Sequence, residues 1–399
     1  MREGKTVFER AVVHGALKAL VKEGRVAVTY WDGSVSRYGS LEGARGPSLE
    51  VKLTDPRVAL KLLVNASLAL GEGYMNQQVV IAEEQLPLLF ELIARNQPTV
   101  PLRQPFRRHR NHAGAQQSYI ETHYDVGNDY YDLFLDPTRL YSCAYFVHRG
   151  DSLAQAQQQK IEHLLRKLRL RPGMHLLDIG CGWGHLAVAA AKKYNVRVLG
   201  ITLSKEQLKG AQELAEREGV SGKVEFRLAN YQSLKGEMFD RIISVGMFEH
   251  VGRGNGDQYF AQVAKLLVPG GVSVLHTITQ QHSRATDAWV DRYVFPGGYL
   301  PTVGEVTDGL ARHGLWLADC EDLHEHYAET LRHWRQAHRA HRRQIVEMFD
   351  ERFYLLRDFW LAGSEGGFRH GRLGLAQFVF TKGKPQGGTW PLTRSYLYE

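Results

Sequence analysis

Leu176 to Gly184 reads Leu-Leu-Asp-Ile-Gly-Cys-Gly-Trp-Gly and is the densest chemistry in the 399-residue sequence. Apolar residues that run into three alternate glycines describe a buried strand that turns sharply, approaches a ligand with its backbone and opens a helix. The N-terminus of that helix, from about Leu186, would face the ligand. The dinucleotide-binding fingerprint competes for this pattern, but the spacing here is Gly-x-Gly-x-Gly, with Asp178 two residues before Gly180. A second concentration is aromatic: Tyr119, Tyr124, Tyr130, Tyr131, Phe134, Tyr141, Tyr145 and Phe146. Such a run could lid an apolar pocket, although aromatic segments are more often simply buried. A third is basic, with Arg103, Arg107, Arg108, His109 and Arg110 crowded around Pro98, Pro101 and Pro105. Most basic clusters are solvated, yet beside an anionic surface each charge can add about 1 kcal/mol. His324, His326, His333, His338 and His341 invite a metal reading, but their Arg and Glu neighbours on a long polar helix describe a solvated face, and no metal is expected.

The elements that must position these groups follow from periodicity and turn chemistry. A helix over 7–21 precedes strands at 25–31, 35–38 and 49–53, with Asp32-Gly33 as a hairpin turn. Asp55-Pro56 opens a helix to about Ala69, which Gly71-Glu72-Gly73-Tyr74 would stop, and 84–95 is again helical. After a helix over 151–168, strands at 175–179, 196–201, 224–228, 241–245 and 272–278 alternate with helices at 204–218 and 258–267. A helix at 303–313, a strand at 316–322, a long helical region over 327–361 and a strand at 375–380 complete the pattern. The order predicts an α/β fold with a doubly wound, mostly parallel sheet whose ligands bind at the carboxyl ends of its strands. Three segments are expected: a small α+β domain over 1–96, a basic linker over 97–117, and a catalytic domain over 118–399 with a late helical insertion for substrate recognition.

Composition narrows the partners. A net charge of +7 favours an anionic partner, nucleic acid or an acidic membrane surface, though it could serve solubility alone. Cys143, Cys181 and Cys320 form no Cys-x-x-Cys pair, so neither a disulfide framework nor a zinc finger is indicated, and a reducing cytoplasm fits. Residues 1–10 lack an apolar signal core and no run reaches the length of a membrane span, so any membrane contact is expected to be peripheral.

The glycine turn is similar to motif I of the class I S-adenosylmethionine (SAM) methyltransferases. Taken with Tyr141-Ser142-Cys143-Ala144-Tyr145-Phe146, Gly200-Ile201-Thr202-Leu203-Ser204, Phe248-Glu249-His250-Val251-Gly252, His276-Thr277-Ile278 and His326-Tyr327, it makes nearly the whole chain resemble the cyclopropane-fatty-acid synthase family, which includes the mycolic acid cyclopropane synthases. The N-terminal segment resembles that of the bacterial phospholipid-acting members. The resemblance implies transfer of a methyl group from SAM to a cis double bond in a lipid acyl chain, giving a carbocation that loses a proton and closes to cyclopropane. It implies bicarbonate as the base, held at Cys143, Glu249, His276, Ile278 (through its backbone) and Tyr327. It also implies SAM contacts at Tyr141, Ser142, Thr202, Leu203, Gln207 and Tyr231, with Asp178, Gly180, Gly182 and Gly184 supplied by motif I.

Each of these residues has a plainer reading. Taken singly, Cys143 is a small buried hydrophobe, His276 a core histidine and Tyr327 a packed aromatic. Ser204 and Gln207 suit a capping box, so Gln207 could be structural, cofactor-binding or both. Where ordinary class I enzymes carry an acid for the ribose, this chain has Thr202-Leu203-Ser204, and Tyr231 stands where some relatives have Trp. Ser364 occupies a stretch in which some synthases carry a cysteine, so a thiol there cannot be required. Unsaturated phospholipid at the inner membrane face is the expected partner, a homodimer through the N-terminal domain is implied, and nucleic acid is not expected. The nearest rival forms 10-methyl or methylene-branched chains from the same cation; small-molecule and RNA methylation are the others.

Overall fold

A computed structural model describes residues 2–39, 48–97 and 127–398. The chain divides into two units, one of Met1–Pro105, Asp287–Pro296 and Leu331–Arg372, the other of Phe106–Thr286, Gly297–Thr330 and Leu373–Glu399. Most of the expected linker, with Arg103 to Arg110, and Tyr119 and Tyr124 of the aromatic run lie outside the described residues.

In the first unit, β1 (Arg25–Thr29), β2 (Val35–Gly39), β3 (Ser48–Leu53) and β4 (Val79–Val80) form a sheet in the order β2-β1-β3-β4. The Asp32-Gly33 turn joins β1 to antiparallel β2 as expected, with Gly33 at φ +81° and the Asp32 carboxylate accepting from the Ser34 amide at 2.9 Å. The next helix departs from expectation. It breaks at Asn65 into Arg57–Val64 and Ala66–Met75, and Asn65 caps the second piece by accepting from the Leu68 amide at 3.0 Å. Gly71 and Gly73, which read as a helix stop, lie inside that second helix. They are there for close approach: a Cβ on Gly71 would stand 2.3 Å from the Trp289 ring, and one on Gly73 would stand 2.6 Å from Val79. Trp289 belongs to the short helix Ala288–Tyr293; its Nε1 donates to Met75 Sδ at 3.3 Å, and the Tyr293 hydroxyl donates to Glu72 at 2.8 Å.

The residues 331–372, assigned from sequence to the catalytic domain, group with the first unit instead. A buried ion pair accounts for part of this, since Arg335 donates to Asp358 at 2.7 Å and to the Glu83 carbonyl at 2.5 Å, while the Tyr74 hydroxyl reaches Asp358 at 3.3 Å. The expected solvated histidine face is also only partial: His338 is fully buried, stacks on Tyr354 at 4.8 Å and donates to its carbonyl.

The second unit carries β5 (His175–Ile179), β6 (Arg197–Thr202), β7 (Val224–Leu228), β8 (Phe239–Val245), β9 (Leu267–Gln280), β10 (Leu315–Asp322) and β11 (Leu373–Lys382). Their order is β10-β11-β9-β8-β5-β6-β7, parallel from β9 to β7, with β11 antiparallel to both neighbours. The strands alternate faces as a period of two requires. Leu176, Val198, Ile243, Val274 and Val379 pack with the helices Leu153–Leu168, His185–Tyr194 and Lys205–Arg217. Leu177, Leu199, Ile242, Leu275 and Phe378 pack with Gly256–Leu266 and Val303–Arg312 on the other face. This is the mixed, mostly parallel seven-stranded sheet expected of a class I methyltransferase.

Substitution of Gly71 tests whether this helical glycine is held by its contact with Trp289. Were Gly71 an unobstructed residue of its helix, Gly71→Ala would stabilise by up to about 1 kcal/mol through propensity. Contact with Trp289 predicts a loss of about 1–3 kcal/mol from overpacking. A lowered urea midpoint supports the packing role, and a raised midpoint contradicts it.

Candidate active site

β5 ends in the glycine turn. The amides of Gly180 and Cys181 both donate to the Ile201 carbonyl, at 2.9 and 3.0 Å, which pins the turn to the end of β6. Gly182 takes φ +54° with open space where a Cβ would be, so the turn stays unobstructed. Beside it lies a cleft of about 140 Å³. Nine of the ten cofactor candidates line it: Tyr141, Ser142, Asp178, Gly180, Gly182, Thr202, Leu203, Gln207 and Tyr231. Gly184 is not among the lining residues. A Cβ on it would meet Phe226 at 2.7 Å, so this glycine serves helix-to-strand packing.

Gln207 resolves toward the cleft. Its amide is capped by Ser204 at 3.3 Å, but its side-chain oxygen accepts from the Thr202 hydroxyl at 2.8 Å, where a capping box would have turned the side chain back to Ser204. Tyr231 is buried and packs edge-on against Tyr259 at 5.4 Å. Asp178, buried at the strand end, has its carboxyl pushed up to about 7 by desolvation, which the nearby Lys160 ammonium opposes.

Lys160, Gln157 and His250 went unrecognised in the sequence. Lys160 lines the cleft and donates to the Ser142 hydroxyl at 2.9 Å; burial pulls its ammonium down to about 8. Gln157 donates to the carbonyls of Leu140 and Ser142 at 3.1 and 3.0 Å, so one side chain holds the Tyr141-Ser142 segment. A signal existed: Gln157, Lys160, Leu164 and Lys167 recur at spacings of three, four and three, the face a helix turns toward a core. Polar residue types hid it. His250 also lines the cleft, and burial lowers its imidazole to about 4.

The catalytic candidates lie in the same unit. Glu249 sits on the short turn Phe248–His250, between the cleft residues Met247 and His250. Its Oε1 accepts from the Ile278 amide at 2.7 Å, and its Oε2 is buried with no hydrogen bond among the described residues. Desolvation raises this carboxyl to about 7, opposed first by the Ile278 amide and then by its own backbone and the Thr277 side chain. His276 lies two residues before Ile278 on the same strand, and its carbonyl accepts from the amide of the cleft residue Gly246 at 2.9 Å. Its ring accepts from Gln377 at Nδ1, 3.1 Å away, while Nε2 is buried without a hydrogen bond among the described residues. Burial holds the imidazole well below its ordinary range, so it is neutral at physiological pH.

Cys143 is fully buried and its thiol is raised by desolvation, so it is a thiol and not a thiolate. It faces the carbonyls of Ala144 and Leu323 at 3.2 and 4.0 Å. Tyr327, half-buried, follows one turn after Leu323 and donates its amide to that carbonyl at 3.1 Å. Glu249, Ile278 and His276 thus form one group, and Cys143 and Tyr327 a second around Leu323. Leu323 is itself bonded to Leu375 on β11, the strand that carries Gln377. The site therefore combines a cleft lined by aromatic and apolar residues, an ammonium donor beside the glycine turn, and a carboxyl poised near neutrality.

Comparison with known proteins agrees with this geometry. The family model described as mycolic acid cyclopropane synthetase matches residues 111–378, and a family described only as a domain of unknown function matches residues 12–100. The cyclopropane-fatty-acyl-phospholipid synthase of Escherichia coli K12 is 36% identical over 364 residues, covering 88% of this chain and 93% of that protein. The tuberculostearic acid methyltransferase of Mycobacterium tuberculosis is 34% identical over 87% of each chain. A solved mycolic acid cyclopropane synthase complexed with SAH and CTAB superposes with a TM-score of 0.63 at 36% identity, over 67% of this chain and 98% of that one.

The raised carboxyl of Glu249 has a consequence for stability. Below pH about 4.5 the group is protonated whether the chain is folded or not; between there and about pH 7 the unfolded state ionises first, so stability falls as pH rises. Glu249→Gln keeps an acceptor for Ile278 and removes that titration. The variant is therefore expected to gain on the order of 3 kcal/mol relative to the parent between pH 4.5 and pH 8. Urea unfolding of both proteins at the two pH values measures it, with shared titrations cancelling; an unchanged difference contradicts the burial argument.

Proposed function

Because the chain belongs to the mycolic acid cyclopropane synthetase family and is a SAM-dependent methyltransferase, we propose that it converts the cis double bond of an unsaturated phospholipid acyl chain into a cyclopropane. The observation that carries this reading is Glu249: a buried carboxyl near neutrality, bonded once to Ile278, beside neutral His276 and flanked in sequence by cleft residues. Ordinary methyl transfer to a nitrogen or oxygen lone pair needs only alignment. Transfer to an alkene leaves a carbocation with no lone pair, and a proton must leave before the ring can close.

The cleft fits SAM. Lys160 offers a donor to its carboxylate, and Thr202, Gln207 and Tyr231, which line the same cleft, would serve the ribose and adenine. Bound there, SAM supplies an electrophilic methyl group. The group around Glu249 fits bicarbonate: Glu249 Oε2 and His276 Nε2 are two buried polar atoms without hydrogen bonds among the described residues, which a small oxyanion with one hydroxyl would satisfy. Bound there, bicarbonate supplies a base for the proton that the methyl group loses. The family resemblance would add Cys143, Tyr327 and the Ile278 backbone, of which only the carbonyl is left because the amide donates to Glu249. Glu249, raised to about 7, avoids the repulsion of two full negative charges by sharing a proton. The buried surroundings exclude water, which would otherwise capture the cation.

The membrane is the expected source of substrate. Among the described residues no helix is long and apolar enough to cross a bilayer, and the +7 net charge and the basic segment from Arg103 to Arg110 suit an anionic lipid surface. The likeness to a tuberculostearic acid methyltransferase supports a second reading, in which the same cation loses a proton to give a methylene-branched chain that a separate reductase would saturate to the methyl branch.

Incubating the protein with SAM and vesicles of cis-unsaturated phospholipid, followed by mass spectrometry of the acyl chains, tests the proposal. A gain of one CH2 with loss of ozone reactivity is expected. The same mass with ozone reactivity retained would favour the branched product, and no lipid product would overturn both readings. Glu249→Gln is expected to keep SAM affinity and lose at least about 100-fold in turnover.

A further inference from the structure

A row of polar residues runs across the sheet behind His276. Glu321 on β10, Gln377 on β11 and His276 on β9 are register partners, Glu321 opposite Gln377 and Gln377 opposite His276. Lys167, on the face of the Leu153–Leu168 helix that packs on this side of the sheet, covers the row. Lys167 and Gln377 are both 0% exposed and His276 is 1% exposed.

The chemistry of the donors orients the whole row. Lys167 Nζ donates to Glu321 Oε2 and, at 2.8 Å, to Gln377 Oε1. An ammonium can only donate, so the amide oxygen of Gln377 must face Lys167 and its NH2 must point the other way. That NH2 meets His276 Nδ1 at 3.1 Å, so Nδ1 accepts and the ring proton resides on Nε2. The far end is anchored too. His163 Nε2 donates to the same Glu321 oxygen at 2.8 Å, and with Lys167 it outweighs desolvation and keeps that carboxyl ionised, down at about 2. Every member of the row is satisfied except the last. Nε2–H of His276 is a buried donor with no hydrogen bond among the described residues, which a network serving packing alone has no reason to end on.

We propose that Gln377 is a positioning residue: oriented by the Lys167–Glu321 pair, it fixes His276 as the Nε2–H tautomer, so that the ring presents a hydrogen-bond donor to a small oxyanion in the active site. The oxyanion part rests on the bicarbonate reading above; the tautomer part does not. Gln377 touches neither substrate nor cofactor and acts through His276.

The decisive substitution is Gln377→Glu. A carboxylate at this position accepts from Lys167 and from His276 alike, so it calls for a proton on Nδ1 and reverses the tautomer. Nitrogen-15 spectra of the full-length protein labelled at histidine, with His276 assigned from a His276→Gln difference spectrum, read this directly. The parent is expected to show a protonated Nε2 and a bare Nδ1, and Gln377→Glu the reverse. A protonated Nδ1 in the parent, or no change in the variant, overturns the proposal. Gln377→Met removes the donor without adding charge and is expected to leave a mixture of tautomers, which keeps the test available should Gln377→Glu fail to fold.

Kinetics separates positioning from support. In Gln377→Glu the bicarbonate concentration giving half-maximal activity should rise about 10–100-fold, by analogy with the losses seen when partners that orient a metal-ligating histidine are replaced. SAM affinity by calorimetry should not move. Parallel losses of SAM affinity and activity would reduce Gln377 to a packing role. A parent enzyme indifferent to bicarbonate would remove the oxyanion and the base reading together, while the spectra would still decide the tautomer.

Discussion

A carboxyl group buried with one hydrogen bond is the constraint on which the active site depends. Glu249 receives the Ile278 amide at 2.7 Å on one oxygen and no hydrogen bond from the described residues on the other. An ionised carboxylate so placed would be costly, and the group responds by moving toward neutrality, to about 7. A full complement of donors would have locked it as an inert anion. Partial satisfaction keeps it able to hold or release a proton.

The fold supplies this arrangement through register. β8 and β9 run parallel with Val245 opposite His276, so the turn that follows β8 and carries Glu249 falls beside the 276–278 segment of β9. β11 then lies antiparallel on the other edge of β9 and delivers Gln377 to His276. On the same sheet the glycine turn after β5 opens the cofactor cleft, and the Leu153–Leu168 helix reaches both places: Gln157 and Lys160 hold the 140–142 segment at the cleft, and Lys167 holds the polar row. One helix thus contributes side chains both to the cofactor cleft and to the row behind His276.

Much of this was legible in the sequence, and the parts that were not share a cause. The strand-and-helix alternation marked the doubly wound sheet because its strands are continuous apolar runs, and the motifs from Tyr141 to Tyr327 pointed to a candidate site only jointly, through the family resemblance, since each residue alone reads plainly. Where glycine or polar residues serve packing, the same residue types mislead. Gly71 and Gly73 read as a helix stop until Trp289 and Val79, distant in sequence, are seen against them. His338 reads as part of a solvated face and Lys160 and Lys167 draw no reading from sequence, although each is buried, because their partners come from other segments. The grouping of 331–372 with the first unit rests on contacts such as Arg335 with Asp358 and Glu83, which no local pattern announces.

The central claim is that the proton leaves from the newly transferred methyl group, next to Glu249 and His276. Supplying SAM deuterated at its methyl group and counting deuterium in the lipid product by mass spectrometry tests that claim most directly. Loss of one methyl deuteron before ring closure predicts a product that keeps two of the three deuterium atoms. A product that keeps all three would mean that the methyl group is never deprotonated, and would contradict a role for the buried carboxyl and its histidine in removing that proton.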